Sequence, residues 1–335
     1  MPSIEVRPFR RSDRDQLTQL VNAHAAAVVP GMSVSVSAVL SSLERQPGEF
    51  IEDPWVSERA TIVAEQHDRI AAAAHLLRYY SDERAGRAAR DVGEIHWLVF
   101  WPEAPAGNPC WPDATPAADE LMAACVRQLE SWGVTRQHAG GELPVRGVYG
   151  VPEQWPHIRS VYERSGFSHT GHAEIVYLAD VNALPHPEPP IAGLTIGRSV
   201  GMNGTRLSAV LGAGVIGFIE VETFDEGERQ SRHGGWADIG NLQVAEEYRR
   251  RGVATWLVGQ AADWLRLAQV ERVLDYAWLE GQDYLGQDYT GYRAFLGAVG
   301  FRELTRTKRG WVRTPPVPTA HLAEAAARRH SSRDR

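Results

Sequence analysis

The residues with the clearest chemical potential form the run Arg249-Arg250-Arg251-Gly252-Val253-Ala254, between an apolar segment and a long helical pattern. A helix N-terminus presents unpaired backbone N–H groups and the positive end of the helix dipole, and both attract a phosphate. Gly252 and Ala254 lack bulk, so an anion can approach the backbone, and the arginines add charge and paired donors. The run therefore predicts a phosphate-binding site where a helix begins.

The elements around this run form a mixed α/β pattern. Alternation predicts that a strand ends at Val244, and the helical spacing of apolar residues predicts a helix over 252–267. A second helix over 290–299 closes at Gly300-Phe301. Strands are predicted over 194–198, 207–212, 215–224, 236–244, 272–278 and 301–305. The run is therefore placed in the turn between a long strand and a helix.

Strand, loop and helix together resemble the GCN5-related N-acetyltransferase (GNAT) family. Its pyrophosphate loop follows the fourth strand with the pattern Gln/Arg-x-x-Gly-x-Gly/Ala, and this sequence has Arg249-x-x-Gly252-x-Ala254 after Leu242-x-Val244. Gly300-Phe301 also lies at the family's usual position. The resemblance covers residues 193–313 well and residues 1–181 more loosely. It implies an N-acetyltransferase that uses acetyl-CoA as co-substrate, with direct attack of an acceptor amine on the thioester.

The resemblance also implies roles for the residues of this segment. Loop amides from Arg249 to Thr255 would hold the pyrophosphate, and the strand edge at 242–244 would pair with the pantetheine amides. The N–H near Val244 would polarise the thioester carbonyl. The predicted acetyl-CoA-binding residues are Leu242, Gln243, Val244, Arg249, Arg250, Arg251, Gly252, Val253, Ala254 and Thr255.

Tyr292 is the predicted catalytic acid. Members of the family often carry a tyrosine four residues before Gly-Phe, close to the CoA sulfur, but that position is Leu296 here. Tyr292 lies one helical turn earlier on a similar face, so we expect it to protonate the departing thiolate. The alternative is an ordinary packed aromatic residue, with solvent supplying the proton.

Glu220, Glu222 and Asp238 are the predicted candidates for the base that removes the acceptor's ammonium proton, with Glu222 and Asp238 preferred. All three lie on strands that lead into the central cleft. Alternation places Glu222 on one face with Glu220, and Asp238 on one face with Leu242 and Val244. The alternative for each is an acid on a solvated sheet face.

The first half repeats this element order weakly. Its predicted elements are strand 4–9, helices from residue 12 and over 34–45, strands 61–65 and 70–80 joined at His67-Asp68, strand 94–101, helix 117–132, strand 143–151, helix 157–165 and a final strand 173–178. Tyr162 stands four residues before Gly166-Phe167. However, strand 94–101 leads into a proline-rich segment at 102–109, and prolines remove amide donors. We predict that this half does not bind CoA in the usual way.

The fold class is therefore predicted as α/β (α+β), with two tandem GNAT-like domains, each a mixed, largely antiparallel sheet flanked by helices. Residues 1–181 form a degenerate GNAT-like domain, 182–192 a proline-rich linker, 193–313 the acetyl-CoA-binding domain, and 314–335 a mobile tail. The second domain lacks the two helices that normally wall the acceptor site. We expect the first domain to complete that wall.

Composition limits the remaining function classes. A formal net charge of -7 argues against a nucleic-acid partner, and the two cysteines are too few for a disulfide framework or a zinc site, so no metal is expected. No apolar run approaches the roughly 20 residues that span a bilayer. The N-terminus carries charges where a signal peptide is apolar, so we expect a cytoplasmic protein without membrane partners.

The expected partner is a small-molecule or peptide amine, and the oligomeric state stays open. Two other functions fit the sequence. One is a non-catalytic acyl-CoA-binding or sensing protein, which the leucine at position 296 and the missing acceptor wall motivate. The other is a protein-interaction scaffold without CoA affinity, which the intact loop at 249–254 disfavours.

Overall fold

The computed structural model describes residues 3–45, 54–102, 113–145, 147–223, 235–279 and 290–314. The predicted mobile tail, apart from Thr314, lies outside the described residues, as does most of the proline-rich segment at 102–109.

The helices of the chain agree closely with the helical patterns of the sequence. They are α1 (Arg14–Val28), α2 (Val36–Leu43), α3 (Thr115–Ser131), α4 (Pro156–Arg164), α5 (Val253–Leu267) and α6 (Thr290–Ala298). α5 shows why the patterns were informative: Trp256, Leu257, Ala261 and Leu265 recur at helical spacing and are buried against the sheet. α1, α3, α4 and α5 pack such apolar residues against strands, and α2 packs against α1.

The strands form two sheets. In chain order they are β1 (Ile4–Pro8), β2 (Val56–Gln66), β3 (Arg69–Tyr79), β4 (Val92–Phe100), β5 (Arg136–Ala139), β6 (Val151–Pro152), β7 (Ser168–His169), β8 (Ala173–Asp180), β9 (Leu194–Gly201), β10 (Gly204–Leu211), β11 (Gly214–Thr223), β12 (Gly235–Val244), β13 (Val270–Trp278), β14 (Arg302–Lys308) and β15 (Trp311–Arg313).

The first sheet has the order β1-β2-β3-β4-β5-β15-β7, and the second has β6-β14-β8-β13-β12-β11-β10-β9. Most neighbours are antiparallel, and one parallel pair lies in each sheet, β4 with β5 and β12 with β13. The predicted turn between β2 and β3 is confirmed. His67 and Asp68 both have positive φ, as the tight turn of a two-residue hairpin requires. The predicted fold class, two mixed sheets flanked by helices, is also confirmed.

The two halves exchange one strand each. The strand at 173–178 was expected to complete the sheet of the first half, and that prediction was wrong. β8 inserts between β13 and β14 of the second sheet, and β15 in turn inserts between β5 and β7 of the first. The physical reason is that a strand's alternation shows how many faces it buries but not which sheet it joins. The domain boundary at 182–192 stays a prediction.

The strand predicted over 143–151 was also wrong. The strand parallel to β4 is β5, four residues long and further upstream, and only Val151–Pro152 of the predicted segment is extended, as β6. Leu143, Val145 and Val148 are buried in the core of the first half without belonging to a strand. Their apolar character gave the segment the appearance of a strand.

The proline-rich linker lies against α5. The backbone at Gly259 approaches the carbonyl of Pro185 so closely that a Cβ there would lie 2.8 Å from its oxygen. Further along, a Cβ on Gly252 would lie 3.1 Å from Pro190. His186 Nδ1 stands 3.0 Å from the Asp263 carboxylate. The linker therefore runs along the helix to its N-terminus.

Candidate functional site

A groove opens between the parallel strands β12 and β13. Their pairing covers only Gly235 to Asp238 on β12 and ends at the pair Asp238–Leu274, although β12 continues to Val244. The groove has a volume of about 1450 Å³. Its walls come from β11, the end of β12, the following loop, α5 and α6, and are formed by Val215, Ile216, Gly217, Phe218, Leu242, Gln243, Val244, Ala245, Glu246, Arg249, Arg250, Ala254, Gly291, Tyr292 and Phe295.

The free edge of β12 offers backbone groups to this groove. The N–H of Ala245 donates to the carbonyl of Ile216 on β11, at 2.9 Å. Because N–H groups alternate sides along a strand, the N–H groups of Val244 and Leu242 point away from β11 and into the groove. An extended ligand with amide groups can therefore pair with this edge.

The N-terminus of α5 closes one end of the groove. Its first helical hydrogen bond runs from the N–H of Trp256 to the carbonyl of Gly252, at 3.0 Å, so the helix itself uses none of the three N–H groups before Trp256. Gly252 is the N-cap and has φ 83°, ψ -2°, in the left-handed region that favours glycine. This conformation turns the chain from the loop into the helix, and Pro190 of the linker lies beside the glycine.

The three arginines of the loop take different positions. Arg249 and Arg250 line the groove, and Arg249 Nε also donates to the carbonyl of Val244 at 3.2 Å. Arg251 stacks over the ring of Tyr248 at 5.6 Å and does not line the groove. The other predicted binding residues divide in the same way, with Leu242, Gln243, Val244 and Ala254 in the wall and Gly252, Val253 and Thr255 outside it.

Tyr292 lines the groove from α6, and its hydroxyl donates to Asp275 Oδ2 at 2.6 Å. The other oxygen of Asp275 accepts from the backbone N–H of Tyr276, also at 2.6 Å. Leu296, at the position where the family often has tyrosine, is fully buried in the core of the second half. The structure thus places the predicted acid against a buried carboxylate.

Asp275 is the functional candidate that the sequence analysis missed. Burial raises the pKa of this carboxyl to about 7, the hydrogen bonds from Tyr292 and Tyr276 oppose that rise, and the charges of Asp238 and Glu174 add to it. One signal was available. Asp275 is the single charged residue in the apolar stretch Val273 to Trp278, and alternation places it with Val273 and Ala277 on the helix-covered face.

A bulge in β12 corrects the predicted face of Asp238. Glu220 pairs with Asn241 but Val221 pairs with Ile239, so Gly240 is an extra residue on β12. The extra residue reverses the alternation, so Asp238 lies on the face opposite Leu242 and Val244. A Cβ at Gly240 would collide with Asn203, which explains glycine there.

Glu222 stands directly across from Asp238 in the β11–β12 ladder, and neither residue lines the groove. Asp238 is 5% exposed, and Glu222 is half-buried. Glu220 on the same face has a structural role. It accepts from Arg206 Nε at 2.7 Å and from the backbone N–H groups of Met202 and Asn203 at 3.2 Å each, so it holds the β9–β10 turn. These contacts, led by Arg206, lower its pKa against the opposing effect of burial.

The first half covers the face of the second sheet that carries Asp238. Tyr149 packs edge-on against Tyr276 at 5.3 Å, and Arg309 lies 6.0 Å from the Tyr149 ring. Beside Arg309 lies a cavity of about 290 Å³ with walls from both halves. It is lined by Glu94, His138, Ala139, Gly140, Glu142, Gly150, His172, Trp278, Arg309 and Gly310.

In the described residues of the first half, β4 stays bonded to the chain that follows β5. The N–H of Gly140 donates to the carbonyl of Ile95 at 2.8 Å, and that of Glu142 donates to the carbonyl of His96 at 3.1 Å. These bonds continue the contact beyond the last ladder pair, Ile95–Ala139. Tyr162 is fully buried, and its hydroxyl donates to the carbonyl of Gly140 at 2.8 Å. The side chain at the family's tyrosine position is thus a structural element of a closed strand pair.

Among the residues that the structure describes, the helices are too short or too polar to span a bilayer. The same residues contain no group of three or more His, Cys, Asp or Glu side chains that could hold a metal ion.

Comparison with known proteins confirms the family resemblance. Residues 186–281 match the model of the Acetyltransferase (GNAT) family, so this segment contains a GNAT domain. The match begins in the linker and includes β12, the arginine loop, α5 and β13. The sequence has no match among curated proteins.

The fold of the described residues is similar to that of a tandem GNAT protein. A tandem GNAT protein from the clavulanic acid biosynthesis pathway superposes with a TM-score of 0.62 at 15% identity, over 94% of this chain and 100% of that one. A GCN5-related N-acetyltransferase from Sphaerobacter thermophilus gives 0.55 at 14% identity, over 94% and 97%. A fungal multi-domain protein with a GCN5-related glucosamine N-acetyltransferase region gives a TM-score of 0.59 at 15% identity. The superposition covers 93% of this chain and 38% of that protein.

Proposed function

We propose that this protein is an N-acetyltransferase that moves an acetyl group from acetyl-CoA to the amine of a small molecule or peptide. The second half binds the CoA. The observation that carries the proposal is the open groove between β12 and β13, with a free strand edge on one wall and the N-terminus of α5 at one end. The family and the fold support acyl transfer from acyl-CoA, and the acetyl group and the amine belong to the proposal.

Each part of the groove matches one part of acetyl-CoA. The pyrophosphate lies at the N-terminus of α5, where the unpaired N–H groups, Arg249 and Arg250 supply positive charge. The pantetheine arm is extended and carries two amides, so it pairs with the free edge of β12 as an additional strand. The N–H of Val244 points into the same space and stabilises the negative charge that develops on the thioester oxygen.

The acceptor amine reaches the thioester from the opposite face of the second sheet, through the opening between the strands. Asp238 and Glu222 lie on that face, where their charges attract an ammonium group and accept its proton. Tyr149 and the 290 Å³ cavity contribute a wall from the first half. β9 leads directly into β10 without the two helices that normally wall the acceptor site, and the first half supplies that wall instead. Attack by the free amine forms the C–N bond and expels the CoA thiolate.

The first experiment is a calorimetric titration with acetyl-CoA of the wild type and Ala254→Glu. Position 254 lines the groove in the first turn of α5, where an acid favours the helix dipole, so the fold is retained while charge and bulk oppose the pyrophosphate. Gly252 is a poorer position because its φ of 83° strains any other residue. Leu267→Glu, at the exposed end of the same helix, is the matched control.

We expect micromolar binding in the wild type and the control, and loss of binding in Ala254→Glu. Equal affinity in all three proteins would place the CoA elsewhere, and absence of binding in the wild type would remove the proposal. Release of free thiol with a panel of amines then separates an enzyme from a non-catalytic acyl-CoA sensor. The buried Leu296 at the family's tyrosine position is the observation that favours a sensor.

A further inference from the structure

The strongest unassigned feature is the hydrogen-bonded pair of Tyr292 and Asp275. Asp275 is 3% exposed on β13, and both of its oxygens are occupied, one by the Tyr292 hydroxyl and one by the N–H of Tyr276. Only Tyr292 of this pair lines the groove. The Asp275 carboxyl is therefore connected to the groove by its hydrogen bond with the Tyr292 hydroxyl.

We propose that Tyr292 and Asp275 form a proton relay, in which Tyr292 protonates the CoA thiolate and Asp275 restores the tyrosine's proton. The proposal rests on the proposed function. Tyr292 is the group that touches the reacting sulfur, and Asp275 acts through it as a positioning and proton-supplying residue.

The protons balance in one turnover. When Asp275 is protonated, its O–H donates to Tyr292 Oη, and the tyrosine O–H turns to the sulfur. The amine attacks the carbonyl carbon, the C–N bond forms, and the C–S bond breaks with its electron pair on sulfur. The Tyr292 proton moves to that thiolate, and the Asp275 proton moves to Tyr292 Oη. The new amide nitrogen releases its proton to water, and ionised Asp275 takes one from water.

The surroundings of Asp275 suit a group that exchanges its proton near neutral pH. The pKa of about 7 leaves both forms populated there. Tyr177 of β8 is its cross-strand neighbour, and the charges of Asp238 and Glu174 disfavour its ionised form. The described α5 residues in the adjoining core are apolar, and Arg293 on α6 donates to the carbonyl of Leu279 instead. The described neighbours thus include no cation paired with Asp275.

The relay predicts a specific dependence of rate on pH. The pKa of the Asp275 carboxyl is raised above its ordinary value, so the proton it supplies is present below about pH 7 and is lost as pH rises through that value. The wild-type rate with a saturating amine then has a descending limb near pH 7, beside any ascending limb from the amine.

Asp275→Asn keeps the size of the side chain and an oxygen that accepts from Tyr292, but it has no proton to exchange. We expect kcat to fall by about 10²-fold, at the lower end for general acid catalysis because a thiolate is a good leaving group. The descending limb disappears and the KM for acetyl-CoA is unchanged. Glu303→Gln, which removes a carboxylate paired with Arg306 on the same sheet, is the control that keeps the wild-type profile.

A stability measurement separates the relay from a structural role. Because the folded-state pKa is raised above its ordinary value of 3.8, burial of Asp275 carries no ionisation cost below about pH 4, and the cost grows as pH rises and is complete above about pH 7. Asp275→Asn is therefore expected to melt at a higher temperature than the wild type at pH 8 and at a similar one at pH 4. A variant that melts lower at pH 8 and loses acetyl-CoA affinity would make Asp275 a structural support of α6 and overturn the relay.

The deciding experiment measures kcat against pH by thiol release for wild type, Asp275→Asn, Tyr292→Phe and Glu303→Gln, with CoA affinity measured alongside. Loss of the descending limb of the kcat profile in both Asp275→Asn and Tyr292→Phe supports the relay. A limb that persists in either variant overturns the relay while the proposed function stands. If the wild type turns over no amine, the proposed function fails. The relay is then judged from the thiol pKa of bound CoA, read from thiolate absorbance. A lower value in the wild type than in Tyr292→Phe supports it, and equal values overturn it.

Discussion

The two halves of this chain each contain one pair of parallel strands, but the pair separates in the second half and stays bonded in the first. In the second half, β12 and β13 separate after Asp238–Leu274, and the groove between them reaches the N-terminus of α5. In the first half, β4 remains bonded to the chain after β5 by two further backbone hydrogen bonds, and Tyr162 seals the junction. Whether such a strand pair opens into a groove thus depends on a few backbone bonds rather than on the order of elements.

The halves also bury different titratable groups. In the first half, the Nε2 atoms of His24 and His157 lie 3.1 Å apart. Burial lowers the pKa of His24 to about 3 and that of His157 to about 4. The described residues from 193 to 314 include no histidine, and this part buries Asp238, Asp275 and Glu220. Falling pH therefore favours protonation of His24 and His157 in the first half, whereas pH rising through about 7 ionises Asp275 beside the groove.

The largest expected effect comes from separating the halves. A fragment of residues 193–314 lacks β8, which fills the space between β13 and β14, so we expect it not to fold cooperatively. A fragment of residues 171–314 restores β8 and should unfold more cooperatively in urea than the shorter fragment, as followed by circular dichroism, although both lose the first half that covers Trp236 and Leu274. Cooperative unfolding of the shorter fragment would mean that the exchanged strand is dispensable.

Acid should weaken the first half. Folding keeps His24 neutral, with a pKa of about 3 against 6.5 when unfolded, so its contribution is complete above pH 6.5 and is lost as pH falls. The loss from this residue is about 2 kcal/mol at pH 5, by the worth of a pKa unit. Urea unfolding from pH 7 to 4 measures it. His157→Gln should reduce the slope, because it removes one of the two adjoining imidazoles. Stability independent of pH would contradict the assignment.

The arginines of the loop should differ in their effect on CoA. Arg250 lines the groove, whereas Arg251 stacks over Tyr248. We expect Arg250→Ala to weaken acetyl-CoA binding by about tenfold, or about 1.4 kcal/mol, with the difference shrinking at high salt. Arg251→Ala should cost less, and calorimetry of the two variants at two salt concentrations tests it. Equal losses would show that the arginines act only through overall charge.

The smallest effect concerns Tyr162. Its hydroxyl is buried and donates to Gly140, so Tyr162→Phe should lower the free energy of unfolding by about 1 kcal/mol. The affinity for acetyl-CoA should stay the same, because the closed pair of the first half contributes nothing to the groove. A weaker affinity in this variant would indicate that the first half contacts CoA.

Much of this architecture is determined by the sequence alone. Helical periodicity predicted α3, α5 and α6 within a few residues, since an amphipathic stripe has to match the helix repeat wherever the helix packs. The loop pattern at 249–254 predicted a helix N-terminus beside a strand end, because that motif is local and its glycine has a specific backbone conformation. The resemblance to the family led to Tyr292, because it lies one helical turn before Leu296 at the family's tyrosine position.

Only the tertiary structure decided how distant segments meet. The exchange of β8 and β15 depends on which sheet offers a free edge, and the face of Asp238 depends on one extra residue at Gly240. The raised pKa of Asp275 depends on burial among strands far apart in sequence. Local periodicity reports how each segment is covered, whereas register, strand partners and desolvation arise when segments pack together. The sequence therefore determined the loop pattern, and the tertiary structure determined which groups lie around the groove.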